Sequence, residues 1–481
     1  MVRWCLLSLL VLATLATTAC SYPSYAYTRG TPPAAQVAPV EAVTLPPPTD
    51  PELTNQPYLT VVRLKGDHYQ RGFLYGRTFS AEWKRATDEV ESYAVAYVRD
   101  YVPPKFLAKF AVRQYAALVT RNFDASGSEA TMPKGYRAYV QGIADGAGMD
   151  ASRLQRNIAL VMLSDASCSA FIAFGPATDD GRLLQMRNLD WGNIDIPAAE
   201  GTIVLVHEPP GGQRYLSIGF VGLVGSISGI NEAGLSISEI GSESDDKTQS
   251  GMPMPILLEH VLATATTLDQ AVAILRAAPG TGGYNYMVGS ARERRGAVIE
   301  KTASHTAVFE IGPDNYADNE FFQGFEGFDC RADTSADPTV RSVQICSRGP
   351  GSPVESGAYL RRYLRQIEWF ERFGRKLTIE RAADVAREVA PKTNLHSILY
   401  DFDRGRVYLR NQAWFKDGRR DASEEDRLRA RAAAQPAAVL ELRNYFREPV
   451  AQPGTVSRPP PPPPPPPPAG PPAQPPPPPP A

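Results

Sequence analysis

Residues 167–191 read Ser-Cys-Ser-Ala-Phe-Ile-Ala-Phe-Gly-Pro-Ala-Thr-Asp-Asp-Gly-Arg-Leu-Leu-Gln-Met-Arg-Asn-Leu-Asp-Trp. Two strand-like runs, 169–174 and 182–187, flank Asp179-Asp180-Gly181, a turn former followed by glycine. That pattern predicts a β-hairpin, because such turns match the twist of the strands they join. Cys168 heads the first strand, and Arg187 and Asp190 close the second. An antiparallel return therefore carries both charged residues back toward the cysteine. A cysteine at a strand start is most often a small buried hydrophobe. Here its neighbours argue for chemistry: a guanidinium favours the thiolate, and a carboxylate can orient a cationic amine.

Outward from the hairpin the chain changes texture. Residues from Asp67 to about Leu163 carry apolar side chains every three or four positions and predict helices. Asp150 or Ser152 offers a cap to the last of them. Beyond the hairpin come short strand-like runs, with a turn at Asn231-Glu232-Ala233-Gly234. Helical pairs follow near 255–277, strands near 284–311, and two more helices after that. A final strand pair turns at Asp403-Arg404-Gly405. Hairpin-linked strands with helices inserted in pairs predict an α+β fold, two sheets packed between helical layers.

The ends have other compositions. Residues 1–20 hold Arg3, an apolar run and small residues before Cys20, the pattern of a secretory signal of lipoprotein type. On that reading Cys20 is lipidated, and the protein is exported and membrane-anchored, periplasmic or at the cell surface; simple secretion is the alternative. Residues 21–57, rich in Pro, Ala and Thr, read as a linker. Residues 451–481 are almost pure proline, an extended rod that cannot pack a core. The remaining chain divides at the cysteine into a helical part, 58–167, and a sheet-rich catalytic domain, 168–450.

With 50 basic and 52 acidic residues, the charge balance argues against a nucleic-acid partner. Five scattered histidines show no metal-ligand spacing. Neither metal nor cofactor is expected. Of the five cysteines, Cys330 and Cys346 flank a polar loop, and a disulfide there would contribute about 3 kcal/mol. Cys168 is left unpaired.

No histidine lies in the hairpin to take a thiol proton. Scission of the bond before Cys168 would remove that need. The freed α-amine, with an ordinary pKa near 7.7–8.0, would serve as base on the same residue.

The segment 168–191 resembles the active-site hairpin of cysteine-type N-terminal nucleophile (Ntn) hydrolases. It is most similar to the penicillin (isopenicillin N) acyltransferase-like family, and more distantly to acid ceramidase and choloylglycine hydrolases. Residues 66–77, Gly-Asp-His-Tyr-Gln-Arg-Gly-Phe-Leu-Tyr-Gly-Arg, resemble the Gly-x-x-Tyr-x-x-Gly-x-x-x-Gly pattern that opens such proteins. Residues 284–300 resemble the strand pair that carries an oxyanion-stabilising asparagine, here Asn285. The resemblance implies an αββα sandwich and self-cleavage between Ser167 and Cys168 into associated α and β fragments. It implies Cys168 as nucleophile, Arg187 as anchor, Asp190 as orienter of the amine and Asn285 as oxyanion donor. The expected substrate is a small N-acyl amide or thioester, hydrolysed or used for acyl transfer. A ceramidase-like lipid amidase and a non-catalytic surface lipoprotein remain alternatives. Asn231 reads as a turn former, and Tyr69 and His396 as structural residues.

Overall fold

A computed structural model describes residues 30–55, 58–99, 105–125, 132–161, 167–191, 201–241, 246–311, parts of 362–373, 376–417 and 423–446, with single-residue gaps at 134, 176, 247, 249 and 305. Cys20, Cys330, Cys346, the signal-like start and the proline-rich end lie outside the described residues.

The decisive hairpin forms as its sequence predicts. Strand β4 (Ser167–Gly175) pairs antiparallel with β5 (Gly181–Asp190), and Gly181 takes the left-handed φ of +76° that the turn needs. β5 also pairs with β13 (Asn394–Asp401), which pairs with β14 (Arg406–Asn411) and then β16 (Ala438–Glu441). These five strands make one sheet.

The second sheet has nine strands. In spatial order they are β1 (Val40–Thr44), β3 (Tyr58–Lys65), β6 (Ile203–Glu208), β7 (Tyr215–Gly219), β8 (Ser228–Asn231), β9 (Leu235–Gly241), β10 (Tyr284–Ser290), β11 (Arg295–Lys301) and β12 (Thr306–Ile311). All neighbours are antiparallel except β3 and β6.

Side-chain alternation stacks the two sheets. Cys168, Ala170 and Ile172 share one face of β4. Added β-carbons at Gly289 on β10 and Gly296 on β11 would meet Ile172 Cδ1, so this face looks onto the nine-stranded sheet. The opposite face carries Phe171, Ala173, Leu184 and Met186, which pack on Val385, Ala386 and Val389 of helix α8 (Ile379–Val389). On the far side of the larger sheet lie α6 (Met254–Thr264) and α7 (Leu268–Ala277). The layers are therefore αββα.

The N-terminal helices join the same core. α1 (His68–Thr78) starts at a capping box in which Asp67 accepts from Gln70 N and Gln70 Oε1 accepts from Asp67 N. It crosses α4 (Tyr136–Ala147) at backbone contact. Gly72 and Gly76 abut the carbonyls of Tyr139 and Ile143, while Gly142 and Gly146 abut those of Tyr69 and Phe73. The glycine pattern of 66–77 thus sets a helix crossing, and Tyr69 is buried, its hydroxyl donating to Asp145 at 2.8 Å. Arg71 of α1 donates to Tyr215 Oη (3.0 Å) and His207 Nδ1 (2.9 Å), linking the helices to β6 and β7.

One part of the expected linker is structured. Residues 40–44 form β1, and 53–54 form a two-residue strand, β2. β1 is an edge strand with mostly exposed side chains, so it shows no alternation for sequence reading to find. Among the described residues, no helix is long and apolar enough to cross a membrane, and no group of three His, Cys, Asp or Glu could hold a metal.

Candidate active site

Cys168 and Arg187 meet on the inter-sheet face of the hairpin. The register sets Ala170 opposite Arg187, with Cys168 two residues on. Arg187 Nη2 donates to Cys168 Sγ at 3.3 Å. A backbone hydrogen bond from Asp190 also reaches the sulfur. The thiol is buried, and burial pushes it up to about 11; Arg187 pulls it down, and Glu239 and Asp190 push it up. In the intact chain the sulfur is therefore protonated at neutral pH and awaits a further positive charge or a base.

Arg187 is fully buried and committed on every side. Its Nε donates to the Glu239 carbonyl (3.3 Å), its Nη2 to Glu239 Oε2 (3.3 Å) and its Nη1 to His396 Nε2 (2.9 Å). Because a guanidinium only donates, His396 Nε2 accepts, and the ring proton sits on Nδ1, 3.5 Å from Thr202 Oγ1. Burial and Arg187 hold His396 well below its ordinary pKa. A neutral imidazole whose acceptor nitrogen is already occupied supports the guanidinium; it is not placed to take the thiol proton.

Asp190 faces the other side of β5. Its Oδ1 accepts from Asn394 Nδ2 at 2.8 Å and its Oδ2 from Arg362 Nη2. Burial raises its pKa, opposed by Arg362, Asn394 and Arg187. The register sets Asp190 directly opposite Ser167, so the carboxylate stands beside the Ser167–Cys168 bond.

Asn285 lies on β10, on the face shared with Met287 and Gly289 that looks onto the hairpin sheet. It is buried, and among the described residues neither its amide nitrogen nor its amide oxygen has a hydrogen-bond partner. A native core rarely leaves both ends of an amide unpaired. Asn231, by contrast, is saturated: Oδ1 accepts from Ala233 N and Leu235 N, and Nδ2 donates to Leu262 O and Ala265 O. It holds the β8–β9 turn, as its sequence context suggests.

Three contributors were not anticipated. Glu239, a single acid within the apolar strand Leu235–Gly241, is a legible oddity, since an unpaired carboxylate there would be costly. Burial pushes it up to about 7, with Arg187 pulling it down. Asn394 stands two residues before His396. Arg362 carries no local signal; only the tertiary structure brings it to Asp190.

Residues 177–325, which include Arg187, Asp190, Glu239 and Asn285, match the family described as acyl-coenzyme A:6-aminopenicillanic acid acyl-transferase. Protein dcd1B of Dictyostelium discoideum is 23% identical over 261 residues, covering 52% of this chain and 52% of that protein. Protein dcd1A from the same organism is 24% identical over 267 residues, 52% and 60% of the two chains. An uncharacterized protein of Archaeoglobus fulgidus is 29% identical over 287 residues, 53% and 45%. The match thus spans about half the length of these relatives. Among solved structures, a mutant conjugated bile acid hydrolase of Clostridium perfringens is 15% identical with a TM-score of 0.31, over 53% of this chain and 94% of that one. A Caenorhabditis elegans ortholog of N-acylethanolamine-hydrolyzing acid amidase is 15% identical with a TM-score of 0.35, over 57% and 99%. The family match therefore lies within the αββα sandwich, from the hairpin turn through β12, and covers about a third of the chain.

Proposed function

We propose that the protein is an exported, self-processing acyl-transfer enzyme that cleaves linear amide or thioester bonds through Cys168. The observation that carries this reading is the hydrogen bond from Arg187 to Cys168 Sγ at a buried strand head, with Asp190 paired opposite Ser167. Maturation begins when the sulfur attacks the Ser167 carbonyl carbon. The carbon–nitrogen bond to Cys168 then breaks, and nitrogen takes the proton that the thiol gives up. Water cleaves the resulting thioester, leaving a Ser167 carboxylate, a restored thiol and a free α-amine on Cys168.

The amine then serves as the base that the intact chain lacks. It accepts the thiol proton as sulfur attacks the substrate acyl carbon, and it returns that proton to the leaving amine or thiol. Water or an acceptor amine releases the acyl group. Asn285, with its unpaired buried amide, is the donor for the developing oxyanion; one such donor is typically worth about 3 kcal/mol. The substrate class is a small N-acyl amide or thioester. The start of the chain supports a lipid-anchored location through Cys20.

Intact-mass analysis of purified protein tests both parts. The expected result is a cut between Ser167 and Cys168, an added acyl mass on Cys20, and an uncut chain for Cys168→Ala. A wild type that stays whole after prolonged incubation overturns the self-processing reading.

A further inference from the structure

Burying an ionised carboxylate requires a compensating charge. Asp190 is about 1% exposed, yet in the intact chain the α-amine it would orient does not exist. Another cation already fills that place. Arg362 Nη2 donates to Asp190 Oδ2 and, at 2.9 Å, to Ser169 Oγ, while its Nε donates to the Val389 carbonyl at 2.8 Å. These bonds seat the guanidinium between β4, β5 and the end of α8. Arg187, the other cation near Asp190, is committed to Cys168, His396 and Glu239.

We propose, on the reading that Cys168 becomes a chain end, that Arg362 is a positioning residue for maturation. It keeps Asp190 ionised and aimed before scission, standing in for the ammonium that scission later supplies, and so sets the lower pH bound of self-cleavage. The groups facing Asp190 are few. Arg187 comes from its own strand, Cys168 from β4, and Arg362 from the stretch before α8. β13 supplies neutral Asn394, with His396 beyond it, while α8 offers the Val389 carbonyl that holds Arg362. Among the described residues, Arg362 alone bonds the carboxylate directly with a full charge.

The sign follows from burial. On this proposal the ionised carboxylate, set opposite Ser167, is the form that promotes scission; burial raises that carboxyl, and Arg362 is the first group pulling it down. Removing that charge raises it further. The experiment refolds the precursor from denaturant and follows scission by intact mass between pH 5 and pH 9, for wild type, Arg362→Gln and Arg362→Lys. Glutamine keeps a donor without charge and is expected to move the acidic limb upward by at least about one pH unit, with near wild-type rates regained at high pH. Lysine, keeping the charge, is expected to leave the limb in place.

A glutamine variant with the wild-type limb overturns the proposal. So does one that melts like wild type yet fails to cleave at any pH. If the glutamine variant does not fold, lysine decides: a shifted limb there means that fork geometry, not charge, is what Arg362 supplies. An uncut wild type sinks the self-processing reading itself, a result distinct from either.

Discussion

Cys168 and Glu239 share one donor: Nη2 of Arg187 lies 3.3 Å from the sulfur and 3.3 Å from the Glu239 carboxylate. The two acceptors compete for the same nitrogen. Glu239, pushed up to about 7, titrates in the range where an enzyme works. When it is neutral, the guanidinium field falls more fully on sulfur.

Glu239→Gln is therefore expected to lower the pKa of the Cys168 thiol. Thiolate absorbance near 240 nm, titrated in the uncut precursor, measures it. A midpoint unchanged or raised would remove Glu239 from the account. The same group makes a signed stability prediction. Its carboxyl is raised in the folded state, so its stabilising contribution is full below about 4.5 and lost as pH rises through about 7. The stability of Glu239→Gln relative to wild type should accordingly improve between pH 4.5 and pH 7.5, measured as urea midpoints.

Removing Arg187 has the opposite character. Arg187→Met leaves Glu239 buried with no cation beside it among the described residues, a defect worth about 3–5 kcal/mol. The double variant Arg187→Met with Glu239→Gln should recover much of that loss while remaining inactive. A single variant as stable as wild type would show that the pair is not the electrostatic support described.

Two asparagines should separate stability from activity. Asn285→Ala removes an amide that bonds to nothing among the described residues. It should change the denaturation midpoint little and slow acyl transfer about 100- to 1,000-fold. Asn231→Ala leaves the N–H groups of Ala233 and Leu235 without their side-chain acceptor, each a buried polar group costing about 1–3 kcal/mol, while the Leu262 and Ala265 carbonyls keep Gln213 Nε2. It should destabilise markedly without a specific defect in the chemical step. Reversed outcomes would exchange the roles of the two residues.

The α1–α4 crossing offers a third contrast. A β-carbon on Gly72 or Gly76 would lie 2.1 Å from a facing carbonyl oxygen. Alanine at either position should force the helices apart and cost about 1–3 kcal/mol or more, read as a lower melting temperature. An unaffected melting temperature at both positions would contradict the close crossing.

How much of this was legible follows from where each signal resides. The hairpin turn at Gly181, the Asn231 turn and the Asp403–Gly405 turn are local matters of backbone angle, and each reads directly from a few residues. Cys168, Arg187 and Asp190 could be singled out from sequence because one hairpin carries all three. Arg362 reaches Asp190 across 172 positions of chain, and Glu239 reaches Arg187 across 52. No periodicity encodes such meetings. The edge strand β1 escaped for another reason: exposed on most sides, it needs no apolar alternation. The partners of Gly72 and Gly76, namely Gly142 and Gly146, were visible only once the helices were laid together.

The parallel pairing of β3 with β6 joins chain from either side of the Ser167–Cys168 bond, from Thr60 opposite Ile203 to Lys65 opposite Glu208. A break at that bond would therefore leave the two pieces joined through this pairing. The seam between the two pieces would run through the middle of a continuous hydrogen-bonded ladder, and parting them would mean tearing the larger sheet lengthwise.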